Sequence, residues 1–566
     1  MSNRLLILLA ASAALLVLAA AEEAPRIPQF VEPGPENGLT GVTVAAKVPW
    51  LYVIDNIGTG SAMLDYDLDG DLDIFQVQSS ALDGFPDPQP RNYLYRNDGN
   101  GKFTEVAVEA GVASSGWGFG VSVGDYDNDG DPDMFVTTWK ADRLYRNEGN
   151  GTFKEVGAEA GVNGPGWGAS SGFFDADKDG DLDLYVTKYL EFDQTKIPPR
   201  GDPRYPCTYR GVAVVCGPMG LIPSVHQFYR NNGDGTFTNV TAEAGMVIKE
   251  TQYGLGVITG DVDSDGDQDI YVGNDSTPNF LYINDGTGHF SEEALIRGVA
   301  YSADGRGQAS MGLAMGDVDQ DGDVDIFVNN FSHDYSTLYQ NDGTGIFEDI
   351  SLKAGLVEPT ILSLSWGTSL LDLDNDGDQD LLISNSHVYP EADDAQIGSA
   401  FLQRCQLFLN DGAAHFKEFT AQGGPALAHP AAHRGAAFGD IDEDGDIDVV
   451  VTRMFERIGF FRNDLPAGNH WVHIRLVGTR SNRDAIGTRV WLKAGGRKWL
   501  LERHGGGSFE SANDPRLHTG LGGISTIDEI EILWPSGAVE KKGTLGVDRS
   551  HTFVEPPGEG QGLRIP

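Results

Sequence analysis

Along most of the chain, apolar residues fall in short runs rich in β-branched and aromatic side chains. Examples are IFQV (74–77), MFVTT (134–138), IYVG (270–273) and VVVT (449–452). Such runs predict short strands rather than helices. Each one follows a polar segment of form DxDxDGDxD, which occurs seven times, beginning at Asp65, Asp125, Asp175, Asp261, Asp317, Asp372 and Asp440. Two further elements travel with it. One is a hairpin around an Asn/Asp/Gly turn: LYRNDGNGKF (94–103), LYRNEGNGTF (144–153), FYRNNGDGTF (228–237), LYINDGTGHF (281–290), LYQNDGTGIF (338–347) and LFLNDGAAHF (407–416). The other is a glycine eight positions after the hairpin's phenylalanine, as in Phe103 with Gly111 and Phe347 with Gly355. Self-similarity at this spacing predicts a propeller or a solenoid.

The ends of the pattern choose between them. Phe30 with Gly38 precedes any aspartate segment, while FFRND (460–464) starts a hairpin that never reaches its phenylalanine. A blade completed from both ends locks a ring, whereas a solenoid ends in capping repeats. The expected architecture is an all-β, seven-bladed β-propeller over residues 28–466. Two insertions, 188–227 and 385–406, interrupt the spacing and are where a recognition surface, or a cover over one end of the ring, is expected. From Asn469 the aspartate segments stop. Alternating strands follow, at 471–478, 489–494, 498–504, 527–535 and 551–556, and predict a small β-sandwich-like domain over 469–556 with a flexible tail at 557–566.

Aspartates at positions one, three and five with glycine at six resemble the start of an EF-hand loop and suit a hard cation of six to eight oxygen ligands. The last acid stands at position nine rather than twelve, and no helices flank the loop, so these are calcium loops of another kind. The expected ligands are the side chains at positions one, three, five and nine. They are Asp65, Asp67, Asp69 and Asp73; Asp125, Asp127, Asp129 and Asp133; Asp175, Asp177, Asp179 and Asp183; Asp261, Asp263, Asp265 and Asp269; Asp317, Asp319, Asp321 and Asp325; Asp372, Asp374, Asp376 and Asp380; and Asp440, Asp442, Asp444 and Asp448. Position seven is expected to give its carbonyl and leave its carboxylate in solvent. The cofactor expected is Ca2+, about seven per chain, one per loop.

Composition narrows the partners. A net charge of −44 argues against nucleic acid and anionic membranes. The opening MSNRLLILLAASAALLVLAAAEEAPR reads as a signal peptide over 1–21, so a secreted, extracellular or periplasmic protein without stable membrane insertion is expected. Of three cysteines, Cys207 and Cys216 are expected to pair locally, leaving Cys405 as a buried thiol.

The segments NHWVHIRLVGTRSNRDAIGTRV, GGGSFESANDPRLHTGLG and ILWPSG closely resemble the ASPIC/UnbV domain, and the aspartate repeats resemble the FG-GAP/VCBS repeats of integrin-like propellers. Together they resemble the cartilage acidic protein family and its bacterial secreted relatives over nearly all of the chain after residue 21. The resemblance implies extracellular calcium binding and adhesion, and names no reaction. The function expected is therefore non-enzymatic recognition of an extracellular protein or glycan, with structural calcium. The alternative is a secreted polysaccharide lyase or hydrolase built on a propeller, for which His333, His387, His433, Arg434 and Arg453 are the candidate groups. None of these lies in a spaced catalytic motif. GGGS, near His504 and His518, is read as a tight turn. The sequence leaves the oligomeric state open.

Overall fold

The computed structural model describes residues 25–44, 50–80, 82, 90–99, 101–247, 252–394 and 396–557. The expected signal peptide (1–21) and all but the first residue of the expected tail (557–566) lie outside the described residues. Seven antiparallel meander sheets of four propeller strands each fill the first part of the chain. Their innermost strands are Ser61–Leu64, Gly118–Gly124, Gly168–Phe174, Gly254–Gly260, Leu313–Gly316, Ser365–Leu371 and His433–Gly439, which define blades 1 to 7 in that order. Each innermost strand touches the next, and blade 7 touches blade 1, so the sheets form a closed ring. The fourth strand of blade 7 is Phe30–Val31, with Phe30 opposite Asn463 and Val31 opposite Arg462.

The apolar runs are continuous because each blade is covered on both faces by its neighbours. Asp183–Lys188 and Asp448–Arg453, second strands of their blades, are buried at every residue. The glycine that follows each hairpin phenylalanine explains itself at the outer seam. Gly111 and Gly161, at φ of 80° and 79°, sit so close to the carbonyls of Phe153 and Phe237 in the next blade that a Cβ would lie 2.8 and 3.1 Å from the oxygen. The same contact joins Gly424 to Phe30 at the closing blade. Alongside it, the Phe153 N–H donates to Ala110 O and the Phe30 N–H to Gly423 O, at 2.8 and 2.9 Å.

The C-terminal module has a three-stranded sheet, in which His470–Val477 runs parallel to Arg549–Val554 and antiparallel to Leu517–Gly522. A four-stranded sheet of Arg497–Glu502, Arg489–Ala494, Glu529–Leu533 and Val539–Lys542 shares one core with it, around Val472, Ile474, Val490, Ile532 and Trp534. The module sends residues 505–512 down the central channel. Gly505 and Gly506 pair with Thr259 and Ile258 as a fifth strand of blade 4. Ser508 exchanges backbone bonds with Leu313 of blade 5, and its hydroxyl reaches Thr368 N and Ala436 O of blades 6 and 7. Glu510 bonds Val121 and Ser170 of blades 2 and 3, and Ala512 bonds Ser61 and Met63 of blade 1. The segment read as a tight turn is thus a plug bonded to all seven blades. Three successive glycines let the backbone come this close, as an added Cβ at Gly506 would lie 2.6 Å from Val257 O.

At the far end of the channel, Trp50, Ile54, Trp167, Tyr189, Phe192 and Tyr389 form an aromatic cluster that reaches Phe509 at the tip of the plug. Both insertions contribute to it, tied together by the Arg200–Glu391 ion pair and by the Tyr209 ring, which packs 5.9 and 5.7 Å from the rings of His387 and Tyr389. They form a cover over one end of the ring. Cys207 and Cys216 are disulfide-bonded within it, and Cys405 is a buried free thiol whose pKa burial pushes up to about 12.

Candidate metal centres

Each aspartate segment connects the innermost strand of its blade to the second, on one face of the ring. The chain reverses there through two left-handed residues. The position-six glycine has φ between 90° and 103° in all seven loops, and the residue at position four, never glycine, has φ of 58–62°. That second strained position had no signal in the aspartate pattern.

The loop's own N–H groups organise its carboxylates. In blade 2, Asp125 Oδ1 and Oδ2 accept from Asp129 and Gly130 at 3.0 and 2.8 Å, and Asp129 Oδ1 accepts from Asp131 at 3.0 Å. Asp133 accepts from Tyr126 N and Asn147 N at 3.2 and 2.7 Å. This scheme recurs around the ring. It leaves one oxygen of position three, in Asp67, Asp127, Asp177, Asp263, Asp319 and Asp442, buried without a hydrogen-bond partner. A buried carboxylate oxygen aimed at other carboxylates is costly unless a cation meets it. The ligand atoms of Asp65, Asp67 and Asp73, of Asp125, Asp127 and Asp133, and of positions one, three and five in blades 3, 4 and 5, lie within 4.8 Å of one another. These clusters could hold metal ions, and an all-oxygen donor set fits a hard dication.

Electrostatics point the same way. Burial first, then neighbouring aspartates, pushes the Asp175 and Asp317 carboxyls up to about 7. Burial also pushes Asp73, Asp125 and Asp440 up to about 8. At position nine, Asp133, Asp183, Asp269, Asp380 and Asp448 are raised well above the carboxylate range for the same leading reason. The protein alone resists ionising these cages, and a cation at their centre reverses that balance.

Two sets of loop contacts were not legible in the aspartate pattern. The hairpin asparagine of every blade donates from Nδ2 to the position-two carbonyl of the preceding loop. Asn147 reaches Tyr66 O, Asn231 reaches Tyr126 O and Asn284 reaches Ala176 O, each at 2.8 Å, while Asn97 closes the circle on Ile441 O at 3.1 Å. Position-seven carboxylates do not simply face solvent. Asp181 and Asp446 accept from Asn128 and Asn375, position four of the preceding loops, both at 2.9 Å, and Asp267 pairs with Lys178 in the same way. The loops are therefore joined edge to edge. The module closes over them: Arg489 meets Asp261 at 3.2 Å, Gly520 N donates to Asp372 Oδ2 at 2.7 Å, and Arg497 pairs with Asp378 at 2.6 Å.

A family model for the FG-GAP-like repeat matches residues 65–136, 125–186, 223–272, 261–328 and 317–383, together half of the chain. The chain belongs to the FG-GAP-like repeat family. A second model, ASPIC and UnbV, matches residues 478–560 of this FG-GAP-like protein. Cartilage acidic protein 1 of Mus musculus is 27% identical over 307 residues, and that of Homo sapiens 28% over 308, in each case 53% of this chain. The matches span 44% and 43% of those proteins, less than half their length. Among solved structures, an Agrocybe aegerita lectin that recognises non-reducing terminal N-acetylglucosamine aligns at TM-score 0.35 and 17% identity, over 64% of this chain and 79% of the lectin. A Trypanosoma rangeli sialidase mutant aligns at 0.33 and 9%, over 78% and 60%. Likeness at that level carries no argument about chemistry.

The candidate catalytic groups of this FG-GAP-like protein make the following contacts within the fold. His387 Nε2 bonds Ser332 Oγ at 2.8 Å and its Nδ1 accepts from Tyr389 N at 3.0 Å. His433 Nδ1 lies 3.2 and 3.1 Å from the carbonyls of Asn385 and Gln403. Arg434 donates to Asn56 O and His433 O and stacks 4.4 Å over Trp366. Arg453 pairs with Glu32, and His333 Nε2 bonds Ile397 O at 2.7 Å. His387 feels the charges of Arg434 and His333, and His433 that of Arg453, so members of the five lie near one another. Among the described residues no helix is long and apolar enough to cross a membrane.

Proposed function

We infer that the FG-GAP-like repeats and the ASPIC and UnbV module make this an adhesion-like β-propeller protein. We propose that it is exported, that each loop binds one Ca2+ through positions one, three, five and nine, and that it recognises an extracellular protein or glycan without catalysing a reaction. The observation that carries this reading is the buried, unpartnered oxygen at position three in six of the seven loops. Calcium rather than magnesium follows from the number of carboxylates on offer, since magnesium keeps more of its water. The ion supplies charge neutralisation; the chain's own asparagines then transmit the loop's shape from blade to blade. The local disulfide agrees with an oxidising compartment.

The cover offers the recognition surface. Tyr205, Met219, Ile222 and Val225 of the first insertion, Leu402 of the second, and Phe455, which stacks on Trp50, are exposed apolar side chains on an otherwise acidic protein. The test is retention of the calcium-loaded chain on intact cells or envelopes of its source. Retention that is lost in the Ile222→Asp/Val225→Asp double variant supports the reading. No retention of either form contradicts it, and turnover of a polysaccharide by the calcium-loaded protein would establish the enzymatic alternative.

A further inference from the structure

Where the module lies over the loop-bearing mouth of the channel, it does not fill the space. A cavity of about 710 Å3 remains around residues 504–508 as they descend. That is the size of small-molecule sites, roughly 300–1,000 Å3. Its floor is apolar, formed by Phe173, Ile258, Leu313, Leu370 and Phe438 at the ends of inner strands, with Leu500 from the module above.

The module's wall carries four arginines, Arg475, Arg483, Arg503 and Arg516, against three acids, Asp484, Glu502 and Asp514. Arg475, Arg483 and Arg503 all line the cavity, and all three face Asp484. One carboxylate cannot satisfy three guanidinium groups, and Asp484 Oδ2 already accepts the Asp125 N–H at 2.8 Å. Three other arginines of the module are paired: Arg489 with Glu502 at 2.8 Å, Arg497 with Asp378 at 2.6 Å and Arg516 with Glu443 at 2.6 Å. The three cavity arginines have no such partner among the described residues. Arg503 Nε is buried without a hydrogen bond, and its Nη1 reaches only His504 O at 3.2 Å. Arg483 Nη1 reaches only Gly478 O, at 3.4 Å. Other carboxylates line the cavity too: Asp317 accepts from Asp321 and Gly322 at 3.1 Å each, while Asp65 attracts Arg475 and Asp514 attracts Arg503 from beyond ion-pair distance.

Planar guanidinium forks left open over an apolar floor select an oxyanion attached to an apolar body. We propose that this cavity binds a small molecule carrying a phosphate, sulfate or carboxylate group on an apolar skeleton. The site is distinct from the exposed cover at the opposite end of the channel, so it stands whether or not that cover recognises a partner.

The test is isothermal titration of the calcium-loaded full chain with phenyl phosphate, phenyl sulfate and benzoate, with inorganic phosphate and phenol as the two half-ligands. At least one aryl anion is expected to bind at least about tenfold more tightly than either half-ligand. The order among the three identifies the headgroup. Arg475→Gln, which removes no internal bond, is expected to weaken that binding by about tenfold or more, as is Arg503→Gln. Absence of binding by all three aryl anions overturns the proposal. So does binding that is unchanged in both arginine variants, which places the anion elsewhere. Equal affinity for inorganic phosphate and phenyl phosphate overturns the role of the apolar floor.

Discussion

Asn341 tests whether the ring is bolted through its hairpin asparagines. Its Nδ2 donates to Val262 O in the preceding loop at 2.8 Å and to Val324 O in its own at 3.1 Å, and its Oδ1 accepts from Gly343 N and Gly345 N at 3.1 and 3.0 Å. Asn341→Ala strands two buried carbonyls and opens the hairpin turn. A made hydrogen bond contributes about 0.5–1.5 kcal/mol net, and a buried group left unpaired costs about 1–3 kcal/mol. Two stranded carbonyls and two weakened turn bonds therefore sum to roughly 3–5 kcal/mol. The chain is too large for one global free energy, so the assay is hydrogen exchange of the blade 5 strands Asp325–Val328 and Thr337–Asn341 under saturating calcium. Protection there should fall by about two to three and a half powers of ten, and the facing blade 4 loop should follow. Thr344→Ala, an exposed change in the same turn, is the control and should cost under about 0.5 kcal/mol. A loss at Asn341 no larger than that of the control would refute the bolt.

Three other outcomes follow from the same geometry. Phe509 is fully buried at the tip of the plug, with its ring 4.9 Å from Trp366; Phe509→Ala should cost about 3–5 kcal/mol and, in calorimetry, split the unfolding of the C-terminal module from that of the ring. In chelator, the raised carboxyls of Asp73, Asp125 and Asp440 (about 8) and of Asp175 and Asp317 (about 7) lie above their unfolded values. Their contribution is thus full at low pH and lost as pH rises through 7 to 8. The metal-free midpoint should fall between about pH 5 and 8, and calcium should raise it most at the alkaline end; a metal-free midpoint that rises over that range would contradict the cages. Replacing Cys207 and Cys216 by serine should loosen the cover by about 2–3 kcal/mol, read as exchange in residues 190–215, while the inner strands keep their protection.

Much of this was legible because it is local. The register of each aspartate loop, the strand after it and the turn before it all lie within one short segment, so period and residue type reveal them. Ring closure was legible too, since Phe30 and the unfinished hairpin at 460–464 are two halves of one repeated unit. What escaped were contacts whose meaning lies across the ring. The asparagine in each hairpin looks like ordinary turn chemistry until its Nδ2 is seen on the neighbouring loop. The glycine eight residues past each phenylalanine was visible as a pattern, but its cause, a carbonyl of the next blade, was not. GGGSFE reads as a turn because nothing local says that seven strands surround it. In the module, the strands expected at 489–494 and 551–556 announced themselves by alternation, the second standing at Arg549–Val554. Leu517–Gly522, half glycine and histidine, and the polar Val539–Lys542 did not.

The proposed dependence of the ring on metal ions in its aspartate loops is open to measurement. Its most direct test is a metal count on the purified protein, paired with thermal unfolding in calcium and in excess chelator. About seven calcium ions per chain and a large fall in midpoint on their removal are expected. One or two ions, with a midpoint that chelator leaves unchanged, would contradict that dependence.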